Sequence, residues 1–170
     1  MPNSPHKILL LGLGNDILGD DAVGLVAARI LQTEIESDID FTEISTSGFN
    51  LLETMEGYEY VLLLDAIVTG KYQAGTVLDL SREDFSNGSA ISPHYISIPD
   101  IFSLAERLEM SFPREFRILA MEIDDPYLIV EGLSSTVEMA LPAFLTRARL
   151  ILADWVGLVK ILNHRVEEHV

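Results

Sequence analysis

The chain contains no cysteine. Disulfide cross-links, zinc-thiolate centres and cysteine nucleophiles are therefore excluded. Basic residues are scarce: 11 Lys and Arg stand against 27 Asp and Glu, for a formal net charge of -16 and a pI near 4.4. That balance disfavours nucleic acid and anionic membranes as partners, and leaves a cation or a basic peptide as the electrostatically suited ones. The plainer account is that the acidity only maintains solubility. No apolar run approaches the roughly 20 residues that span a bilayer, although the mean hydropathy is +0.27; the apolar excess belongs to a core. Residues 1–7 hold no basic segment leading into a long apolar stretch with a cleavage site, which sets the expectation of a cytoplasmic protein. A chain of 170 residues, 48% hydrophobic, is enough for one domain, 1–170, stabilised by its own core.

Residues 8–25 carry the densest information. An apolar run, Ile8-Leu-Leu-Leu11, reads as a strand buried on both faces; Gly12 and Gly14 let the chain turn, and Asp20 and Asp21 stand where a helix begins. A Gly-rich turn between first strand and first helix suggests a dinucleotide site. The spacing counts against it, because Gly12, Gly14 and Gly19 give G-x-G-x-x-x-x-G rather than G-x-G-x-x-G, and two carboxylates would repel phosphate. One acid at a helix start is explained by capping and the helix dipole; the second calls for another role.

Along the chain, strands are expected over 7–12, 41–46, 60–65, 76–80 and 116–121. A helix over 21–31 has Val23, Val26, Ala27, Ile30 and Leu31 on one stripe. A short helical segment carries Leu51, Leu52 and Met55, and another helix covers 100–109. The connection over 66–75 is short for a crossover helix, so the fourth strand should run antiparallel. Residues 81–93 read as a long surface loop, and 124–132 as irregular. The last helix is signalled by Ser135 and Glu138 in capping-box spacing, with Leu141, Phe144, Leu145, Ala148, Leu152 and Trp155 facing the core and Pro142 as a source of a kink. The alternation predicts a three-layer α/β sandwich: a twisted, mostly parallel five-stranded sheet with one antiparallel strand, and helices on both faces.

In such sheets, sites form beyond the carboxyl ends of the strands. Asp21 follows the first strand, Asp65 ends the third, and His94 follows the fourth; two carboxylates and an imidazole suit zinc, nickel or manganese. Each has a bland account as well: shared capping for Asp21, a turn-closing bond to a backbone amide for Asp65, and an exposed loop position for His94. There is no G-x-S-x-G elbow and no H-E-x-x-H helix. His164 and His169 are five apart and cannot share a helix face; that segment reads as a frayed tail.

Taken together, Gly12-Leu-Gly-Asn15 with Asp20-Asp21 and Gly24, Leu64-Asp65-Ala66, and Ser92-Pro-His94 resemble, in order, the motifs of the hydrogenase maturation endopeptidases. Gly48 with Leu51-Leu52, and Gly132-Leu-Ser-Ser-Thr-Val-Glu138 leading to Pro142, resemble further segments of that family, so the likeness spans most of the chain. The family's opening motif commonly has Gly where Ala22 stands. The resemblance implies an endopeptidase, aspartic-type or metal-assisted, that removes a C-terminal extension from a nickel-iron hydrogenase large-subunit precursor. It implies that Asp21, Asp65 and His94 meet nickel presented by the substrate rather than a permanent cofactor, and that Gly14, Asn15 and Gly48 contact the substrate. The alternatives are a nickel-dependent docking module without peptidase activity, a general metal-dependent peptidase, and a nucleotide-binding protein. A stable monomer is the default expectation.

Overall fold

The computed structural model describes residues 7–35, 38–45, 49–81, 83–84 and 98–167. Strand β1 (Ile8–Leu13) is followed by a 3-10 turn, Gly19–Ala22, and helix α1 (Val23–Glu34). Next come β2 (Ile39–Ile44), α2 (Phe49–Met55), β3 (Tyr60–Ile67) and β4 (Val77–Ser81). Helix α3 (Ile98–Arg107), β5 (Glu115–Glu122) and the long α4 (Ser135–Glu167) complete the chain. The sheet order is β2-β1-β3-β5-β4, with every pair parallel except β4 with β5. The three-layer α/β architecture and the antiparallel fourth strand agree with the sequence reading.

Both continuous apolar strands lie at the sheet centre, where each face needs covering. Period-two alternation sends Ile8 and Leu10 of β1 and Leu62 and Leu64 of β3 to one core, with α1 and α4. Leu9, Leu11, Val61 and Leu63 point to the other, with Leu51, Leu52 and Met55 of α2 and Ala105 of α3. On the first face Trp155 packs against Tyr60, ring centroids 5.5 Å apart.

Several local expectations are corrected. The α-helix begins at Val23, so Asp20 and Asp21 lie in the preceding 3-10 turn rather than at the helix start, and the residues in the two cap positions, Leu18 and Ala22, make no side-chain cap. The cap of α4 is Ser134 rather than Ser135: its Oγ accepts the Val137 N–H at 3.3 Å, and its carbonyl accepts the Glu138 N–H. Residues 164–167, foreseen as a frayed tail, extend the α4 helix, which also contains Pro142. No helix among the described residues is long and apolar enough to cross a membrane.

Candidate active site

From β1 the chain returns to the β2 edge, whereas from β3 it continues toward the β5 and β4 side. The crevice between the carboxyl ends of β1 and β3 is therefore the topological switch point, where open α/β sheets bind their ligands. Its first wall is the turn after β1. Gly14 N–H donates to the Ile44 carbonyl of β2, and Asn15 Oδ1 accepts the Ile17 N–H at 3.2 Å. Leu18 N–H closes onto the Asn15 carbonyl, and Asp21 N–H onto the Leu18 carbonyl. These bonds roll the chain back so that Asp21 faces the sheet end.

Glycines make that fold-back possible. A Cβ on Gly14, whose φ is +152°, would collide with the Asp21 carbonyl; one on Gly24 would collide with the Leu64 and Leu13 carbonyls. These glycines serve close packing of the helix start onto β1 and β3, a different use from the phosphate cradle that a Gly-rich turn suggests.

The second wall is β3. Asp65 is only 4% exposed, and its Oδ1 accepts the Ala66 N–H at 2.7 Å. That contact fixes the carboxylate; the bond to a backbone amide foreseen for it is present, but it lies within β3 and closes no turn. Asp21 and Asp65 together line a cleft of about 170 Å³, walled by Leu13, Gly14, Asn15, Leu18 and Ser45. Its size suits a cation with a few waters or a single side chain, since each water occupies about 30 Å³. Two carboxyl groups meet there with no Lys or Arg in the lining among the described residues. Paired carboxylates of this kind supply hard oxygen donors to a cation, or a proton acceptor to an attacking water.

Of the other foreseen residues, Gly14 and Asn15 line the cleft, whereas His94 and Gly48 lie outside the described residues. Among the described residues no group of three or more His, Asp and Glu is placed to hold a metal ion. The two carboxylates fit a divalent cation as part of a donor set that needs a further member.

Two charged groups near the site have roles that local sequence patterns do not reveal. Arg29 of α1 forks to Asp16 at 2.7 and 2.8 Å and to Glu43 of β2 at 2.8 and 2.6 Å, clamping the turn to the sheet edge. The guanidinium holds the Asp16 carboxyl below its usual range, chiefly through that hydrogen bond. Glu122, 2% exposed at the end of β5, accepts the Thr69 N–H, the Thr69 hydroxyl and the Gly70 N–H, all within 2.9 Å. It fixes the chain leaving β3 just beyond Asp65.

Comparison with known proteins yields consistent matches. The family model HycI, described as hydrogenase maturation protease, matches residues 25–149. The hydrogenase 2 maturation protease of Escherichia coli K12 is 31% identical over 140 residues, 78% of this chain and 82% of that protein. Among solved structures, the E. coli hydrogenase maturating endopeptidase HybD superimposes with a TM-score of 0.74 at 27% identity, covering 87% of this chain and 93% of that one. The hydrogenase maturation protease HybD of Thermococcus kodakarensis does so with a TM-score of 0.66 at 28% identity, covering 85% and 98%.

Proposed function

As this chain belongs to the hydrogenase maturation protease family, we propose that it is an endopeptidase that removes the C-terminal extension of a nickel-iron hydrogenase large-subunit precursor once nickel has been inserted. The observation that carries this reading is the shared cleft: Asp21, from the turn that follows β1, and Asp65, near the end of the neighbouring β3, meet at the switch point, with no Lys or Arg in the lining among the described residues.

Nickel belongs to the substrate in this reading. Asp21, Asp65 and His94 are the groups that engage it, while Gly14, Asn15 and Gly48 contact the precursor chain around it. Two carboxylates without a thiolate hold a free borderline cation weakly, yet they add donors readily to a cation that another protein presents. A nickel-free precursor brings no cation between the acids, and they repel one another and any acidic peptide. Processing is thereby tied to completed metal insertion.

Hydrolysis requires water to attack the scissile carbonyl and lose a proton, giving a new carboxyl terminus and a free amine. Asp21 and Asp65 are the cleft groups able to take that proton. Asp65 is fixed by its Ala66 contact and Asp21 is the more accessible of the pair.

The test is incubation with purified large-subunit precursor, prepared with and without nickel and followed by intact mass. Loss of the C-terminal extension from the nickel-loaded form alone is expected. Equal cleavage of both forms would refute the metal check, and binding of the loaded form without shortening would make the protein a docking module.

A further inference from the structure

Five large apolar side chains, Ile17, Tyr127, Leu128, Ile129 and Val130, stand 47–78% exposed on two loops beside the cleft. The loops are joined: Leu18 forms a parallel bridge with Val130, and Gly19 N–H donates to the Val130 carbonyl at 3.1 Å. Ile17 therefore stands alongside the 127–130 segment, and the exposed side chains form one ridge. It is also held in shape, because Asp125 Oδ1 accepts the Tyr127 N–H at 2.8 Å and Asp20 Oδ1 accepts the Ser134 N–H at 2.6 Å. A contiguous apolar ridge on a braced strap marks an interaction surface rather than scattered surface hydrophobics.

We propose that this ridge is the docking surface for the folded body of the hydrogenase large-subunit precursor, an inference that rests on the functional reading above. The cleft has room for a side chain or a hydrated cation, far less than the roughly 800 Å² per partner that a specific protein complex buries. Leu18 supplies the continuity, since it lines the cleft and its backbone pairs with Val130. A body seated on the ridge is thus held in fixed register with Asp21 and Asp65. The charges beside the ridge choose the occupant: Asp124, Asp125 and Glu131 are exposed at its ends. A second copy of a chain with net charge -16 would bring two acidic rims together, and an anionic bilayer would be repelled likewise. The surface fits a protein patch with an apolar centre and a basic rim.

The test compares wild type with Ile129→Ser and, on the other loop, Ile17→Ser, using nickel-loaded precursor and confirming each fold by circular dichroism. Leu158→Ser, on an exposed face of α4, is the control. Docking predicts a rise in KM of about tenfold for either ridge variant, with kcat within twofold and the control unchanged. Wild-type KM in both folded ridge variants would overturn the inference while leaving the peptidase reading intact. Failure of wild type to bind or process the precursor would overturn that reading and the inference with it. A wild-type dimer in light scattering that either ridge substitution dissociates would assign the ridge to a second copy and overturn it too.

Discussion

Asp20 and Ser134 are joined across the fold: the Asp20 carboxylate accepts the Ser134 backbone N–H at 2.6 Å. The adjacent Asp21 faces the cleft instead. Neighbouring acids thus divide the work, one bracing the approach to α4 and the other lining the cleft. Asp20→Ala should lower stability by about 1 kcal/mol, the usual net value of one hydrogen bond, somewhat discounted from the charged case because the contact is solvent-accessible. Asp20→Asn keeps an acceptor and should recover most of the loss. Urea unfolding of the three proteins checks this; identical midpoints would show that the contact contributes nothing.

Asp21→Asn and Asp65→Asn should behave in the opposite way. Each amide keeps the shape of the side chain, and in Asp65→Asn the side-chain oxygen can still accept the Ala66 N–H, so the melting temperature should move little. Removing either charge takes an anionic donor and a proton acceptor from the cleft, and processing of nickel-loaded precursor should fall about 100-fold or more. His94→Ala should cause a loss of similar size. Single-turnover processing followed by mass spectrometry measures all three, and near-wild-type rates in the two Asp variants would remove the cleft from the reaction.

Much of this arrangement is legible from local pattern. The apolar runs of β1 and β3 identify the buried centre of the sheet, and the acids that follow β1 and close the apolar run of β3 mark the switch point before any topology is known. What escapes is non-local. The partner of Asp20 is an amide beyond β5, and no local pattern indicates that Thr69 and Gly70 engage the Glu122 carboxylate. The partners of Arg29 come from β2 and the Asp16 turn, which are brought together around it only in the folded chain. Element ends shift by a residue or two for a related reason. Strand β3 runs on to Ile67 because β5 pairs with it as far as Glu122, which apolar content alone does not indicate.

Gly24 and Gly157 give a matched pair of substitutions with opposite expected signs. In isolation, Gly to Ala within a helix is favourable by about 1 kcal/mol. At Gly157, on an exposed face of α4, a new Cβ meets nothing within 4 Å, so that gain should appear. At Gly24 the new Cβ would press on two main-chain carbonyls, those of Leu13 and Leu64, which cannot rotate away. Overpacking of about 1–3 kcal/mol, or more against rigid backbone, should outweigh the propensity gain. Thermal unfolding of Gly24→Ala and Gly157→Ala tests the contrast; a stabilised Gly24→Ala would mean that α1 sits farther from the strand ends than described.

Tyr58 supplies a prediction at alkaline pH. Burial, followed by the hydrogen bond that its hydroxyl donates to Asp40 Oδ2 at 2.9 Å, pushes the phenol up from 10.0 to about 12. A group whose folded-state pKa exceeds its unfolded value contributes stability that is complete below the unfolded pKa and is lost as pH climbs toward the folded one. The contribution of Tyr58 should therefore be intact up to about pH 10 and fade between pH 10 and 12. Spectrophotometric titration at alkaline pH should show a late-ionising component that Tyr58→Phe removes. Asp40→Asn should bring its midpoint part of the way back toward 10, because burial, the larger cause, remains. A titration unchanged by Asp40→Asn would leave burial as the whole cause of the shift.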